Sequence, residues 1–251
     1  MMMRIPICTM KTNKEGVFAA VITAAGKSRR MKTSIKKEYL PLPGRETGVT
    51  VLSEALFKFL QSNLFSIIVI TVPKTGIRKA AETVFFDTRI KKALQGSGTD
   101  LVFVHGGKER RASVFNALLK LEELSKKRAV TVSYVLVHDG ARPFVSVNLI
   151  KAVCSGVKKR GAVIPGFGAV DTQKIAEPSG KIVTHLKRSA VYAVQTPQAF
   201  RFKELVEAHK KAALAKKVYT DDSEIYSEFI APVFICEGEI ENKKITFQGD
   251  L

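Results

Sequence analysis

The sequence has no apolar run approaching the ~20 residues that a membrane-spanning helix needs. Its beginning, Met-Met-Met-Arg-Ile-Pro-Ile-Cys, is brief and soon interrupted by Lys11, Lys14 and Glu15, so no signal peptide is expected. Cysteine is scarce. Cys8, Cys154 and Cys236 stand far apart without metal-ligand spacing. They point to a reduced, cytoplasmic protein with buried or incidental thiols. Internal repeats and low-complexity linkers are absent. Acidic residues are outnumbered, 23 against 41 Lys and Arg, for a net charge of +18. That excess is scattered: Lys58, Lys79, Lys120, Lys158 and Lys210 are spaced like solvated helical faces. No helix-turn-helix, zinc-finger or RNA-recognition motif accompanies it, so nucleic-acid binding stands only as a rival reading.

What is present is an ordinary globular composition, 45% apolar over 251 residues, enough to bury a core. The chain is organised around residues 17–44. Val17 to Thr23 is apolar and β-branched, and reads as a buried strand. It runs into Ala24, Ala25, Gly26 and Ser28, whose small side chains let backbone N–H groups approach a ligand. Arg29, Arg30, Lys32, Lys36 and Lys37 follow. A strand emptying into a small-residue, cationic loop is a place to hold phosphates. Two familiar phosphate loops are excluded. A P-loop needs glycine five residues before Gly26, where Val21 stands, and Ser28 and Met31 occupy the second and third glycine positions of a dinucleotide-binding fingerprint.

Strand and helix patterns then alternate. Helical periods cover Thr50–Leu60, Gly76–Leu94, Arg110–Leu124, Val147–Lys159, Arg201–Lys217 and Asp221–Phe229. Strands are expected at Ser66–Val72, Leu101–Val104, Ser133–Val137, Ala162–Pro165, Val233–Glu237 and Lys243–Phe247. The alternation predicts an α/β fold, a mostly parallel sheet with helices on both faces. Ligands bind outside the carboxyl ends of such strands. The loops beginning at Ala24, His105 and His138, all glycine-bearing and charged, should therefore converge. Val170–Ala176 and Lys181–Leu186 flank a turn at Glu177-Pro-Ser-Gly180, which suggests a β-arm at about 169–190 on a single domain spanning 1–251. An isolated hairpin is marginal in water, so the arm implies a homodimer.

Seven segments in order carry a resemblance: Ala-Ala-Gly-x-Ser-x-Arg-Met with Lys-Glu-Tyr-Leu at 24–40, Gly-Gly-x-x-Arg-x-x-Ser-Val at 106–114, His-Asp-Gly-Ala-Arg-Pro-Phe at 138–144, and Asp-Thr-x-Lys at 171–174. Then come Arg188 with Thr196-Pro-Gln198, and Thr-Asp-Asp at 220–222 followed by Asn-Lys-Lys-Ile-Thr at 242–246. In this the sequence resembles the 2-C-methyl-D-erythritol 4-phosphate cytidylyltransferases. The resemblance implies a Rossmann-like fold of the nucleotide-diphospho-sugar transferase type. It also implies an Mg²⁺-dependent transfer from CTP to 2-C-methyl-D-erythritol 4-phosphate, with pyrophosphate released. Ribitol 5-phosphate cytidylyltransferase is the alternative that shares the CTP loop.

By resemblance, Arg30 and Lys37 hold the triphosphate. Ala24, Ala25, Gly26 and Ser28 lie at the nucleotide, Gly107, Arg110 and Ser113 at cytosine and ribose, and Asp139 and Gly140 beside them. Asp139 is the Mg²⁺ or substrate-hydroxyl ligand, with an ion pair to Arg142 as the other option. Arg142, Asp171, Thr172, Thr196 and Thr220 belong to the sugar-phosphate pocket, although helix capping alone would explain Thr220. Arg188 reaches the neighbouring subunit's site, and Lys244 its own. His138 is expected to be structural. The chain departs from the family pattern at Ser28 (often glycine), Lys36 (usually proline), Glu38 (often glutamine) and Lys108 (often acidic).

Overall fold

A computed structural model describes residues 16–31 and 35–251, except the side chain of Arg29. Cys8 and Lys32 lie outside the described residues. Among the described residues ten strands and seven α-helices follow in order: β1 Val17–Thr23, α1 Val51–Gln61, β2 Phe65–Val72, α2 Ile77–Phe86, α3 Thr88–Ser97, β3 Asp100–His105, α4 Arg110–Lys127, β4 Val132–Asp139 and α5 Val147–Arg160. Then come β5 Ala162–Gly168, β6 Lys174–Ala176, β7 Ile182–His185, β8 Tyr192–Val194, β9 Gln198–Arg201, α6 Phe202–Leu214, α7 Asp222–Phe229 and β10 Phe234–Glu237.

The main sheet runs β10-β5-β9-β4-β1-β2-β3, with β8 paired to β5. β1, β2, β3 and β4 are parallel neighbours, and β9 runs antiparallel between β4 and β5. β1 shows why both faces are covered. Phe18, Ala20 and Ile22 point into one apolar cluster with α1 and α5, while Ala19 and Val21 point into another with α4 and α6. A two-residue period with apolar side chains on both faces is that of a strand between helical layers. β1 has β4 on one side and β2 on the other, so the strand order reverses beside it. Register aligns Thr23 with Thr71 and Asp139, and Val72 with His105. The loops leaving β1, β3 and β4 therefore open at one edge of the sheet, at a topological switch point.

Three expectations are corrected. The helix expected over Gly76–Leu94 is two helices broken at Asp87, whose backbone is extended and whose side chain caps α3 through Arg89 N. The buried Asp87 carboxylate also binds Ser53 and Arg89, so polar satisfaction overrides helical continuity there. α3 then runs through Gln95-Gly96-Ser97 and ends on left-handed Gly98 (φ 63°). The strand expected at Lys243–Phe247 does not form. Ile245 N donates to Ala141 O, and the segment crosses the strand ends as a strap. Two short strands, β8 and β9, had no counterpart in the sequence reading; three or four residues are too few to show a period. The arm is a separate two-stranded ribbon, β6 with β7, and it exposes Val170, Ile175, Ile182 and Val183.

Candidate active site

The converging loops enclose a cavity of about 980 Å³. Among the described residues, Lys27, Arg30, Lys36, Lys37, Lys74, Lys108, Arg110 and Lys244 line it, against the carboxylates Glu38, Glu109 and Asp139. Eight cations facing three carboxylates suit a polyanionic ligand.

The first loop is built from its ends. Ala24 is buried and its N–H is committed to Thr71 O at 2.9 Å; the cavity lining begins at Ala25. Gly26 lines the cavity, and a Cβ there would meet nothing. Ser28 takes a left-handed conformation, φ 49°, a backbone that glycine adopts more readily. Its hydroxyl holds the loop to the next turn, donating to Glu38 Oε2 and accepting from Lys37 N, both at 3.3 Å. That turn separates the paired lysines. Lys36 Nζ is taken up by Glu38 at 2.9 Å and by the Gly26 carbonyl. Lys37 Nζ donates to Ile245 O at 2.7 Å, and burial lowers its pKa below the usual lysine value. Arg30 is exposed to the cavity, its guanidinium 5.9 Å from the Phe247 ring centre.

The second loop fits the first through glycine. A Cβ on Gly106 would come 2.3 Å from the Ala25 side chain, so Gly106 is required by close approach, a role the sequence reading did not give it. Gly107 N donates to Ser113 Oγ at 3.0 Å, and Ser113 Oγ donates to Glu109 O at 3.0 Å. Ser113 thus organises the loop while lining the cavity.

Asp139 ends β4 and is 7% exposed. Burial alone would raise its pKa. Arg110 and Lys244, with Arg142 behind them, instead hold the carboxyl well below the usual carboxylate range. Lys244 Nζ lies 2.6 Å from Oδ2, Arg110 Nε 3.6 Å from Oδ1 and Arg142 Nε 4.0 Å from Oδ2. No group of three His, Cys, Asp or Glu side chains gathers as a metal site among the described residues. A single carboxylate facing a phosphate-sized space does suit Mg²⁺, which is commonly held by one or two carboxylates together with substrate phosphates and water.

Several expected site residues stand elsewhere. Gly140 is not among the cavity-lining residues; its N–H bonds Thr23 O, and a Cβ there would crowd that carbonyl and Leu52, so packing calls for glycine. Arg142 sits outside the cavity, donating to Asn242 O at 2.6 Å. Thr196 is buried; its hydroxyl accepts from Asp139 N at 3.0 Å and lies 3.1 Å from His138 Nδ1, so it fixes the end of β4 rather than lining the pocket. Thr220 is exposed and bonds Glu224, leaving Asp221 as the cap of α7. Asp171, Thr172 and Arg188 are exposed on the arm, outside the cavity of their own chain. His138 is fully buried between Thr196 and Arg142 O, and burial lowers its pKa to about 4, so it is neutral.

The strap that carries Lys244 is anchored by Asn242 and Ile245. Asn242 is buried and donates to Thr196 O at 2.9 Å, and Ile245 is buried with Met31 and Leu42 of the first loop.

The family model described as IspD, 2-C-methyl-D-erythritol 4-phosphate cytidylyltransferase, matches residues 18–251. Proteins of that name from Clostridium beijerinckii and Pelotomaculum thermopropionicum are 35% and 36% identical. The matches cover 94% and 93% of this chain, and 95% and 90% of those relatives. The crystal structure of 4-diphosphocytidyl-2C-methyl-D-erythritol synthase from Anaerococcus prevotii superposes with a TM-score of 0.71 at 28% identity, over 94% of this chain and 93% of that one. The Francisella tularensis 2-C-methyl-D-erythritol 4-phosphate cytidylyltransferase gives 0.70 at 28%, over 93% and 96%.

Proposed function

Because the chain belongs to the 2-C-methyl-D-erythritol 4-phosphate cytidylyltransferase family, we propose that it joins CTP to 2-C-methyl-D-erythritol 4-phosphate and releases pyrophosphate. The observation that carries this reading is the cationic cavity at the switch point, with Lys37, Arg110 and Lys244 around one buried carboxylate.

The acceptor's phosphate oxygen attacks the α-phosphorus of CTP in line with the departing pyrophosphate. Negative charge then grows on the α-phosphate oxygens. Lys37 and Arg30 supply fixed positive charge there, and the open backbone from Ala25 lets the nucleotide approach closely. Lys244 orients the acceptor phosphate from its own chain. Asp139 would hold Mg²⁺, which when bound neutralises phosphate charge.

Arg188 is assigned to the neighbouring subunit's site. It lies on an arm whose exposed Val170, Ile175, Ile182 and Val183 need a covering surface, and a homodimer through the arm provides one. The free Cys154 and Cys236 are in keeping with a cytoplasmic enzyme. Among the described residues no helix is long and apolar enough to cross a membrane.

Pyrophosphate release measured with CTP and Mg²⁺, comparing methylerythritol 4-phosphate with ribitol 5-phosphate, tests the reading. Release with the former alone is expected. Release with ribitol phosphate would keep the CTP site and move the acceptor assignment. Silence with both from folded protein would bring forward the basic-surface alternative, read out as salt-dependent DNA binding.

A further inference from the structure

Arg110 is a cavity cation held from behind by a fully buried carboxylate. Its Nη1 donates to Asp222 Oδ2 at 2.6 Å, and Asp222 is 0% exposed. The second oxygen of Asp222 lies 3.0 Å from Nε2 of His209, also 0% exposed. The His209 ring stacks at 6.0 Å on Phe115, one and a half turns beyond Arg110 on the same helix. A closed circuit thus links the start of α4, the start of α7 and the middle of α6. Helix capping does not explain it, because Asp221 caps α7 by accepting from Glu224 N at 2.9 Å. A buried carboxylate would be costly unless both oxygens were paired, and both are.

We propose that Asp222, steadied by His209, is a positioning residue for CTP. It divides the Arg110 guanidinium between itself and Asp139, so that Arg110 faces the nucleotide instead of closing on Asp139. With the charge of Asp222 removed, Arg110 would pair fully with Asp139 and turn its donors away from the cavity. The proposal rests on the CTP reading above.

The test is CTP binding by titration calorimetry with Mg²⁺ and no acceptor. The full chain would be compared with D222N, R110A and the double variant, each checked by thermal melting. A charge-assisted hydrogen bond is degraded in D222N, so Kd for CTP should rise about 10- to 100-fold. R110A should lose at least as much, and the double variant should bind no worse than R110A, since Asp222 acts only through Arg110. Unchanged affinity in folded D222N, or additive losses in the double variant, would overturn the proposal. Because Asp222 is fully buried, a second pair keeps the test open: His209→Leu should weaken CTP binding and His209→Gln, which retains a donor, should restore much of it. Equal affinity in these two would also overturn it. A wild-type chain that binds no CTP would overturn the cytidylyltransferase reading itself, whereas wild-type binding with an unchanged D222N overturns only the positioning role.

Discussion

Lys244 Nζ lies 2.6 Å from Asp139 Oδ2, so the last segment of the chain is brought to the end of the central strand β4. The pair sits at the cavity wall with the lysine side chain 37% exposed. The lysine end is open to water, and Arg110 and Arg142 stay beside the buried carboxylate without it, so the pair adds little stability. Its place at the site is better explained by chemistry than by folding.

Lys244→Ala should therefore lower the rate of pyrophosphate release by about 10²–10³-fold, as for loss of one charge-stabilising donor. The same change should alter thermal stability by less than about 1 kcal/mol. A melting temperature that falls in step with activity would instead place Lys244 in the fold.

Lys37→Ala should cause a comparable loss, about 10²–10³-fold. Lys36→Ala should cost less turnover, since its ammonium is engaged by Glu38 and the Gly26 carbonyl. Burial lowers the pKa of Lys37, and only the protonated amine can stabilise phosphate charge. The alkaline limb of kcat/KM should thus fall below the usual lysine value of 10.5. Lys37→Arg should move that limb upward; a limb unmoved by the substitution would belong to another group.

Arg188 is on the exposed arm and does not line its own cavity. Inactive Arg188→Ala and inactive Lys37→Ala, mixed and allowed to exchange subunits, should regain part of the wild-type activity. One of the two hybrid sites would then hold both native residues. No recovery after verified exchange would count against a shared site.

Cys154 is 4% exposed, and burial pushes its thiol up to about 12. In the native chain it should resist thiol reagents at pH 8 and react once unfolded. Its folded pKa is raised, so its contribution to stability is complete below the unfolded value of 9.0 and is lost as pH rises toward 12. Tyr39, also raised to about 12 by burial, acts on the same limb from its ordinary value of 10.0. Denaturant unfolding from pH 8 to 11 should show this decline, and Cys154→Ala should make it shallower. Identical slopes would assign the decline to other groups.

Much of the fold was legible because local pattern and tertiary environment agree. Continuous apolar runs such as Val17–Thr23 can be satisfied only between two helical layers, and strand–helix alternation leaves a parallel sheet as the simple solution. Apart from β8 and β9, too short to show a period, the places where the reading failed are those where a long-range contact overrules the period. Asp87 breaks a helix to satisfy Ser53 and Arg89, and residues 243–247 are held by the Ile245 backbone bonds to Ala141 and Lys37 instead of by a strand partner.

The sequence by itself determined the chemistry available: a cationic small-residue loop after β1, glycines after β3, and a carboxylate ending β4, all at one strand edge. Only the tertiary structure decided how those groups are partnered. Thr196 turns inward to the backbone of Asp139, Arg142 backs the strap through Asn242, and Asp222 reaches Arg110 from a helix more than a hundred residues later in the chain. The physical reason is that strand and helix periods are local properties, readable in a short window. Satisfying a buried charge depends instead on whichever distant side chain the packing brings within about 3 Å.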